Sequence, residues 1–84
     1  MSKLFDLTII TPEAPPRHES VEALTLPTST GEITILAGHM PLIAEVIAGT
    51  LRYRQNGAWE SAHCKEGFLR IKDGAARLIL RRAM

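Results

Sequence analysis

The sequence predicts an all-β fold, a flattened β-sandwich or barrel of about eight to ten short antiparallel strands. Apolar and polar residues alternate in many short segments, which is typical of strands with one buried face. Glycine, proline, Asn-Gly and Asp-Gly separate these segments at regular intervals. The longer windows keep no apolar face at helical period, although residues 42–47 could form one helical turn. The pattern therefore favours packed β layers.

The first strand is predicted over residues 4–11, because Phe5, Leu7 and Ile9 then share one face. Residues 11–16 are expected to end this strand. They contain three prolines within five positions, and proline cannot donate to a sheet ladder.

A second strand is predicted over residues 20–26. Its apolar phase slips between Val21 and Leu24, which predicts a bulge or an edge position there. Two tight turns follow, at Gly31 and at Gly38, each close to a proline. Glycine can adopt the positive φ that such turns require, and proline fixes φ, so both turns are expected at set places.

The second half of the chain predicts two hairpins. Asn56-Gly57 and Asp73-Gly74 each lie between alternating segments, and such pairs favour the two-residue turns whose twist matches that of the strands. The strands predicted here cover residues 49–54, 59–64, 67–72 and 76–81.

Length and composition limit the organisation of the protein. The chain has 84 residues, 45% of them apolar, which predicts a single domain over residues 1–84 with one core. A net charge of +1 shows no bias towards nucleic acid or membrane surfaces. No apolar run has membrane-spanning length, and Cys64 is the only cysteine, so a small soluble cytoplasmic domain is expected.

Residues 26–42 carry the most specific pattern, which reads LPTSTGEITILAGHMPL. It resembles the signature of the N-terminal domain of the epsilon subunit of F-type ATP synthases, called delta in mitochondria. Residues 28–30 differ from the usual Gly-Ser-Glu, Thr34 replaces a glycine, and Ala37 replaces a proline. Three further pieces occur in the family's order: LTIITPE at 7–13, GTLRY at 49–53 and GFLRI at 67–71.

The resemblance implies a ten-stranded β-sandwich that is a non-catalytic part of the central stalk, or rotor. It implies packing on the gamma subunit and the c-ring, peripheral to the cytoplasmic face of the inner (plasma) membrane, with no catalytic residue, cofactor or metal in this chain. The residues that correspond to the family's contact turns with the c-ring and gamma are Thr30, Gly31, Glu32, Gly38, His39, Met40, Pro41 and Leu42.

Two of these residues have alternative interpretations. His39 is a rotor contact, as the resemblance implies, or a turn histidine hydrogen-bonded to nearby backbone, or a catalytic base. Catalysis would need a partner acid and a nucleophile within reach, and its sequence neighbours suggest neither. Glu32 is a solvated loop carboxylate or, as the resemblance implies, a contact to basic side chains on the c-subunit loops.

Other polar residues point to no second chemistry. His63 and Cys64 are adjacent and would face opposite sides of a strand, which argues against a shared metal or a Cys–His nucleophile. Arg77, Arg81 and Arg82 form a basic edge, interpreted first as a solvated face and second as a contact with an acidic patch on gamma. Nucleic-acid binding would require more exposed aromatic residues among them.

Two rival function classes remain: a stand-alone β-sandwich that binds a small ligand or peptide, and a hydrolase that uses His39. The family's sandwich is followed by a helical hairpin that in some relatives inhibits hydrolysis or folds around ATP. The corresponding residues here, 80–84, read LRRAM and predict no such hairpin. The expectation from the resemblance is therefore a chain that couples, does not inhibit and binds no nucleotide.

Overall fold

The computed structural model describes residues 3–81, which form nine strands and no helix. An all-β fold is thus confirmed, with a strand count inside the expected range. The strands are β1 (Phe5–Thr11), β2 (Ala14–Val21), β3 (Ala23–Thr28), β4 (Gly31–Leu36), β5 (Leu42–Val46), β6 (Gly49–Gln55), β7 (Ala58–Cys64), β8 (Gly67–Lys72) and β9 (Ala75–Leu80).

The strands form one curled sheet in the order β2-β1-β9-β8-β5-β3-β6-β7, with β4 paired to the other edge of β3. A single residue pair, Thr28 with Val46, joins β3 to β5. This joint separates a first layer (β2, β1, β9, β8, β5) from a second layer (β4, β3, β6, β7), which face each other across the core.

The expectation of purely antiparallel pairing is wrong at one place. The first and last strands, β1 and β9, pair in parallel, with Leu7 opposite Ala76 and Ile9 opposite Leu78. A parallel pair needs a long connection rather than a hairpin, and here most of the chain lies between the two strands. All other pairs in the described part of the chain are antiparallel.

The first strand ends at Thr11, as expected, but the expectation that all three prolines would lie outside a sheet ladder is wrong. Pro12 lies in a two-residue turn, but Pro15 and Pro16 belong to β2. The structure tolerates them because β2 is an edge strand, and the β1–β2 register shifts between Ile9 and Thr11, opposite the prolines. An edge position or a bulge is where proline removes no ladder bond.

The alternation read from the sequence correctly identifies the core-facing residues. Phe5, Leu7 and Ile9 are buried on β1, as are alternate residues of β6, β8 and β9. The fully buried large side chains are Leu7, Val21, Leu24, Leu26, Ile35, Val46, Leu51, Leu69, Leu78 and Leu80. Each stabilises the fold by about 1.5–3 kcal/mol relative to exposure.

Both predicted hairpins are present. Asn56 and Gly57 have φ values of 52° and 76°, and Asp73 and Gly74 have 53° and 75°. Positive φ at both central residues is the mark of a type I′ turn. The break in apolar alternation expected in the second strand occurs at Glu22, between β2 and β3, where the chain passes from the first layer to the second.

Side chains close the open side between β2 and β6. Gln55 Nε2 donates to Glu19 Oε2 at 2.9 Å and to the Ser20 carbonyl at 3.1 Å, and Arg17 Nη2 donates to the Tyr53 hydroxyl at 3.2 Å. The hydrogen bond from Gln55, followed by that from Arg17, holds the pKa of Glu19 below its usual range. This seam fixes the edge strand β2 of the first layer against β6 of the second layer.

Candidate interaction sites at the two ends of the sandwich

The turn between β3 and β4 is held from beneath by Thr28, whose side chain is buried. Its hydroxyl donates to the Gly31 carbonyl and accepts from the Thr30 amide at 3.3 Å. The Ser29 amide donates to the Glu45 carbonyl of β5 at 3.1 Å. Gly31 has a φ of 123°, which side-chain-bearing residues rarely adopt. The turn is therefore fixed in position by its own threonines and by the neighbouring strand.

Glu32 follows this turn and projects from the outer face of the second layer. Its carboxylate lies 3.7 Å from Arg52 Nη2, and the two side chains are 60% and 51% exposed. The Arg52 guanidinium also lies 5.9 Å from the centroid of the Trp59 ring. An exposed ion pair of this length contributes at most about 1 kcal/mol, so Glu32 can exchange Arg52 for a cation on another protein.

The loop between β4 and β5 is built around Gly38, whose φ is 82°. The His39 amide donates to the Leu36 carbonyl at 3.1 Å, and the His39 Nδ1–H donates to the Met40 carbonyl at 2.7 Å. The ring is thus hydrogen-bonded to adjacent backbone, as the turn-histidine interpretation of His39 requires, and its role as a rotor contact stays a prediction. Met40 is 77% exposed, which leaves a large apolar side chain at the tip of the loop.

The eight predicted contact residues do not form one contiguous patch. Thr30, Gly31 and Glu32 lie at one end of β4, while the segment 38–42 begins beyond its other end. Six residues of strand place these two ends about 17 Å apart. The molecule therefore offers two separate candidate sites, one beyond each end of β4.

Tertiary packing adds residues to the second site that could not be predicted from the sequence. Gly38 and His39 line a small cleft with Gly74, so the β8–β9 turn lies beside the β4–β5 loop. A groove of about 560 Å³ runs from the loop onto the first layer. It is lined by Pro41, Leu42, Ile43, Arg70, Ile71, Lys72 and Asp73.

The structure also places the other polar residues that the sequence analysis singled out. His63 is exposed and Cys64 is buried, on opposite faces of β7 as predicted. Burial raises the pKa of the Cys64 thiol against an opposing hydrogen bond from the Gly49 backbone. Arg77 and Arg81 are exposed, and Arg82 lies outside the described residues.

Residues 3–81 contain no group of three or more His, Cys, Asp or Glu side chains that could hold a metal ion. The same residues include no helix long and apolar enough to cross a membrane.

Comparison with known proteins matches residues 4–84 to the family model of the ATP synthase delta/epsilon chain β-sandwich domain. The chain is 34% identical over 79 residues to the ATP synthase epsilon chain of Desulfitobacterium hafniense, covering 94% of this chain and 60% of the relative. It is 36% identical over 80 residues to the ATP synthase epsilon chain of Caldanaerobacter subterraneus subsp. tengcongensis, covering 93% of this chain and 58% of the relative. The chain thus spans about 60% of the length of these relatives.

Two solved structures are similar in fold. A chain of the Euglena gracilis mitochondrial ATP synthase (OSCP/F1/c-ring) superposes with a TM-score of 0.87 at 25% identity, covering 96% of this chain and 52% of that chain. A chain of the Tetrahymena thermophila mitochondrial ATP synthase central stalk/c-ring superposes with a TM-score of 0.78 at 12% identity, covering 95% of this chain and 65% of that chain. The second likeness shows the fold alone.

Proposed function

This chain belongs to the family of ATP synthase delta/epsilon chain β-sandwich domains, and on that premise we propose that it is a non-catalytic subunit of the central stalk. In this role it packs on the gamma subunit and the c-ring and couples ion translocation to ATP synthesis. The observation that carries the proposal is the family match over residues 4–84, nearly the whole chain. The likeness to a chain of the Euglena gracilis enzyme supports it.

The two ends of the sandwich supply separate contacts in this proposal. The turn with Thr30, Gly31 and Glu32 meets the c-ring, where the weakly held Glu32 carboxylate accepts a basic side chain. The loop from Gly38 to Leu42 meets gamma, because its exposed Met40 suits a less polar partner surface.

The body between these ends suits the transmission of torque. Positive-φ turn residues and the hydrogen-bonded seam between β2 and β6 fix the loops and edges relative to the core. A close-packed interior has low compressibility and transmits strain with little deformation. The chain itself supplies no catalytic group or cofactor in this role, and it lies at the cytoplasmic face of the inner (plasma) membrane through the complex.

The test is complex formation with the gamma subunit of the same organism. This chain and gamma, mixed at micromolar concentrations, should elute together from a gel-filtration column. A chain that remains a monomer and ignores gamma would contradict the proposal and favour the stand-alone binding module instead.

A further inference from the structure

The outer edge of β7 is a regular strand edge that pairs with no other strand in the described part of the chain. Residues 3–81 contain two other edge strands, β2 and β4. Pro15 and Pro16 remove donors from β2, and β4 ends at Leu36, whose carbonyl already accepts the His39 amide. By contrast, β7 has no proline, lysine or bulge, the features that usually protect a sheet edge. This edge is therefore available for pairing with another chain.

The register of the β6–β7 hairpin identifies the backbone groups on this edge. In an antiparallel pair, hydrogen-bonded and non-hydrogen-bonded residue pairs alternate. The Arg54 carbonyl accepts the Glu22 amide at 2.8 Å, on the side of β6 away from β7, so Arg54 and Trp59 form a non-hydrogen-bonded pair. Ser61 and His63 occupy equivalent positions farther along β7. The amides and carbonyls of Trp59, Ser61 and His63 thus point away from β6, and no backbone group within residues 3–81 pairs with them.

A second β7 strand complements this edge in one antiparallel register. With a two-fold axis at Ser61, Ser61 lies opposite its own copy and Trp59 lies opposite His63 of the other chain. Every outward amide and carbonyl of the three residues then has a partner. An axis at Glu60 would oppose two carboxylates, and an axis at Ala62 would place Trp59 beyond the end of the other strand. The axis at Ser61 is therefore favoured.

The side chains of β7 agree with this register. Glu60 is the only carboxylate of the strand and would lie opposite Ala62 of the other copy, so no like charges are opposed. Trp59 is 51% exposed and would pack against the imidazole of His63. Aromatic pairs across neighbouring strands stabilise a sheet. The same contact thus pairs the free backbone and removes part of an exposed aromatic side chain from water.

We propose that the free chain forms a two-fold symmetric dimer in which the β7 strands of two copies pair antiparallel about Ser61. The dimer joins the two second layers into one continuous sheet. An unprotected strand edge otherwise favours open-ended association, whereas a two-fold contact closes on itself. The dimer does not depend on the proposed function, because it concerns the chain before it meets gamma or the c-ring.

The experiment is sedimentation equilibrium of the full chain at concentrations up to about 1 mM. One strand pair buries less area than a stable dimer usually needs, so the association should be weak and reversible. Ser61→Lys opposes two like charges at the axis, beside Arg52 of each copy, and should weaken the association at least about fivefold. Excess Ser61→Asp should draw a labelled Ser61→Lys chain back into dimers within about twofold of the wild-type affinity, because opposite charges then face each other.

Control variants separate the edge from the rest of the surface. Thr50→Lys adds the same charge at an exposed site on β6, one strand away from the edge, and should associate within about twofold of the wild type. Ser61→Pro removes the amide at the axis without removing a hydrogen bond to β6 and should weaken the association at least about tenfold. Ser61→Ala keeps that amide and should associate like the wild type. The charge variants decide the outcome even if Ser61→Pro does not fold.

Amide hydrogen exchange locates the contact on the strand. The amides of Trp59, Ser61 and His63 should exchange more slowly as the protein concentration rises. Those of Glu60 and Ala62 point towards β6 and should exchange at rates that do not depend on concentration. Protection that alternates along β7 in this way would support pairing through the strand edge.

Several outcomes would overturn the dimer. A wild-type chain that sediments as a monomer at about 1 mM would do so. So would wild-type self-association by Ser61→Lys, since the axis would then lie elsewhere. Protection of the Trp59, Ser61 and His63 amides only after gamma is added would assign the edge to a strand of gamma and leave the proposed function intact. Failure of the wild-type chain to bind gamma would contradict the proposed function and leave the dimer unaffected.

Discussion

The carboxylate of Glu32 lies 3.7 Å from the guanidinium of Arg52 across the outer face of the second layer. The Arg52 guanidinium in turn lies over the ring of Trp59 on the edge strand β7. The three side chains therefore form a row across the sheet, which begins at the turn before β4. All three side chains are about half exposed or more, which leaves the acid open to a competing cation. Because an exposed ion pair contributes little to stability, a cation on a partner protein can replace Arg52 beside Glu32 at little cost in free energy.

Under the proposed c-ring contact, Glu32→Lys should weaken coupling in the assembled enzyme, because the turn would then present a cation where the resemblance implies basic side chains on the c-subunit loops. The isolated chain should remain folded, with its stability changed by less than about 1 kcal/mol. ATP-driven ion pumping in reconstituted vesicles is the measurement. Glu60→Lys on β7 makes the same charge change at an exposed site away from the turn and should pump normally. Equal pumping by wild type and Glu32→Lys would contradict the c-ring contact.

Gly57→Val should destabilise the domain by about 2 kcal/mol, because a β-branched residue is strained at a φ of 76°. The matched control is Ala58→Val, the next residue and the first of β7, which is exposed and extended. It should change stability by less than about 0.5 kcal/mol. Urea unfolding measures the stability of both variants. Similar unfolding midpoints for Gly57→Val and Ala58→Val would show that the turn conformation at residue 57 does not limit stability.

Gly67→Ala should be among the most damaging small substitutions, although the φ of Gly67 is ordinary. A Cβ at this position would lie 2.0 Å from the Ile79 carbonyl oxygen on the facing strand, so two strands would have to separate. We expect a loss of about 3 kcal/mol or more.

Gly49→Ala provides the comparison for this substitution. Its Cβ would meet only the Pro27 ring, at 3.0 Å, and that ring can move slightly. The expected cost is about 1 kcal/mol, again measured by urea unfolding. Equal costs for Gly49→Ala and Gly67→Ala would show that β8 and β9 are not as closely packed as described.

The seam between β2 and β6 should make stability depend on pH. Hydrogen bonds from Gln55 and then Arg17 lower the pKa of Glu19 in the folded state. A lowered carboxyl pKa stabilises the fold above the unfolded pKa of about 4.3, and this stabilisation disappears as the pH falls through the folded value. Glu19→Gln should therefore flatten the fall in melting temperature below about pH 4.5.

The size of this effect is expected to be under about 1 kcal/mol, because the pair is partly solvated. Gln55→Met removes the strongest donor and should abolish part of the same pH dependence. The double variant should lose little more than Glu19→Gln alone, since both act on one contact. Parallel melting curves for wild type and Glu19→Gln across this pH range would exclude the seam as a titrating contact.

The candidate sites were only partly predictable. The glycines at 31 and 38 and the exposed loop residues are local features, and their turns appear where the sequence places them. That these turns lie at opposite ends of the body follows from β4 being one extended strand between them. The opposition of Arg70 and Arg77 could not be predicted, because the β8–β9 register brings these two residues together.

Local sequence alone accounts for which residues face the core and where the hairpins turn. Period-two alternation and Asn-Gly or Asp-Gly pairs act within a few residues, so their effect does not depend on the rest of the chain. Tertiary contacts are responsible for the parallel pairing of β1 with β9 and for the presence of Pro15 and Pro16 in a strand. Both depend on which strands become neighbours and which remain edges. Those choices are set by burial of the whole core and by contacts between residues distant in sequence.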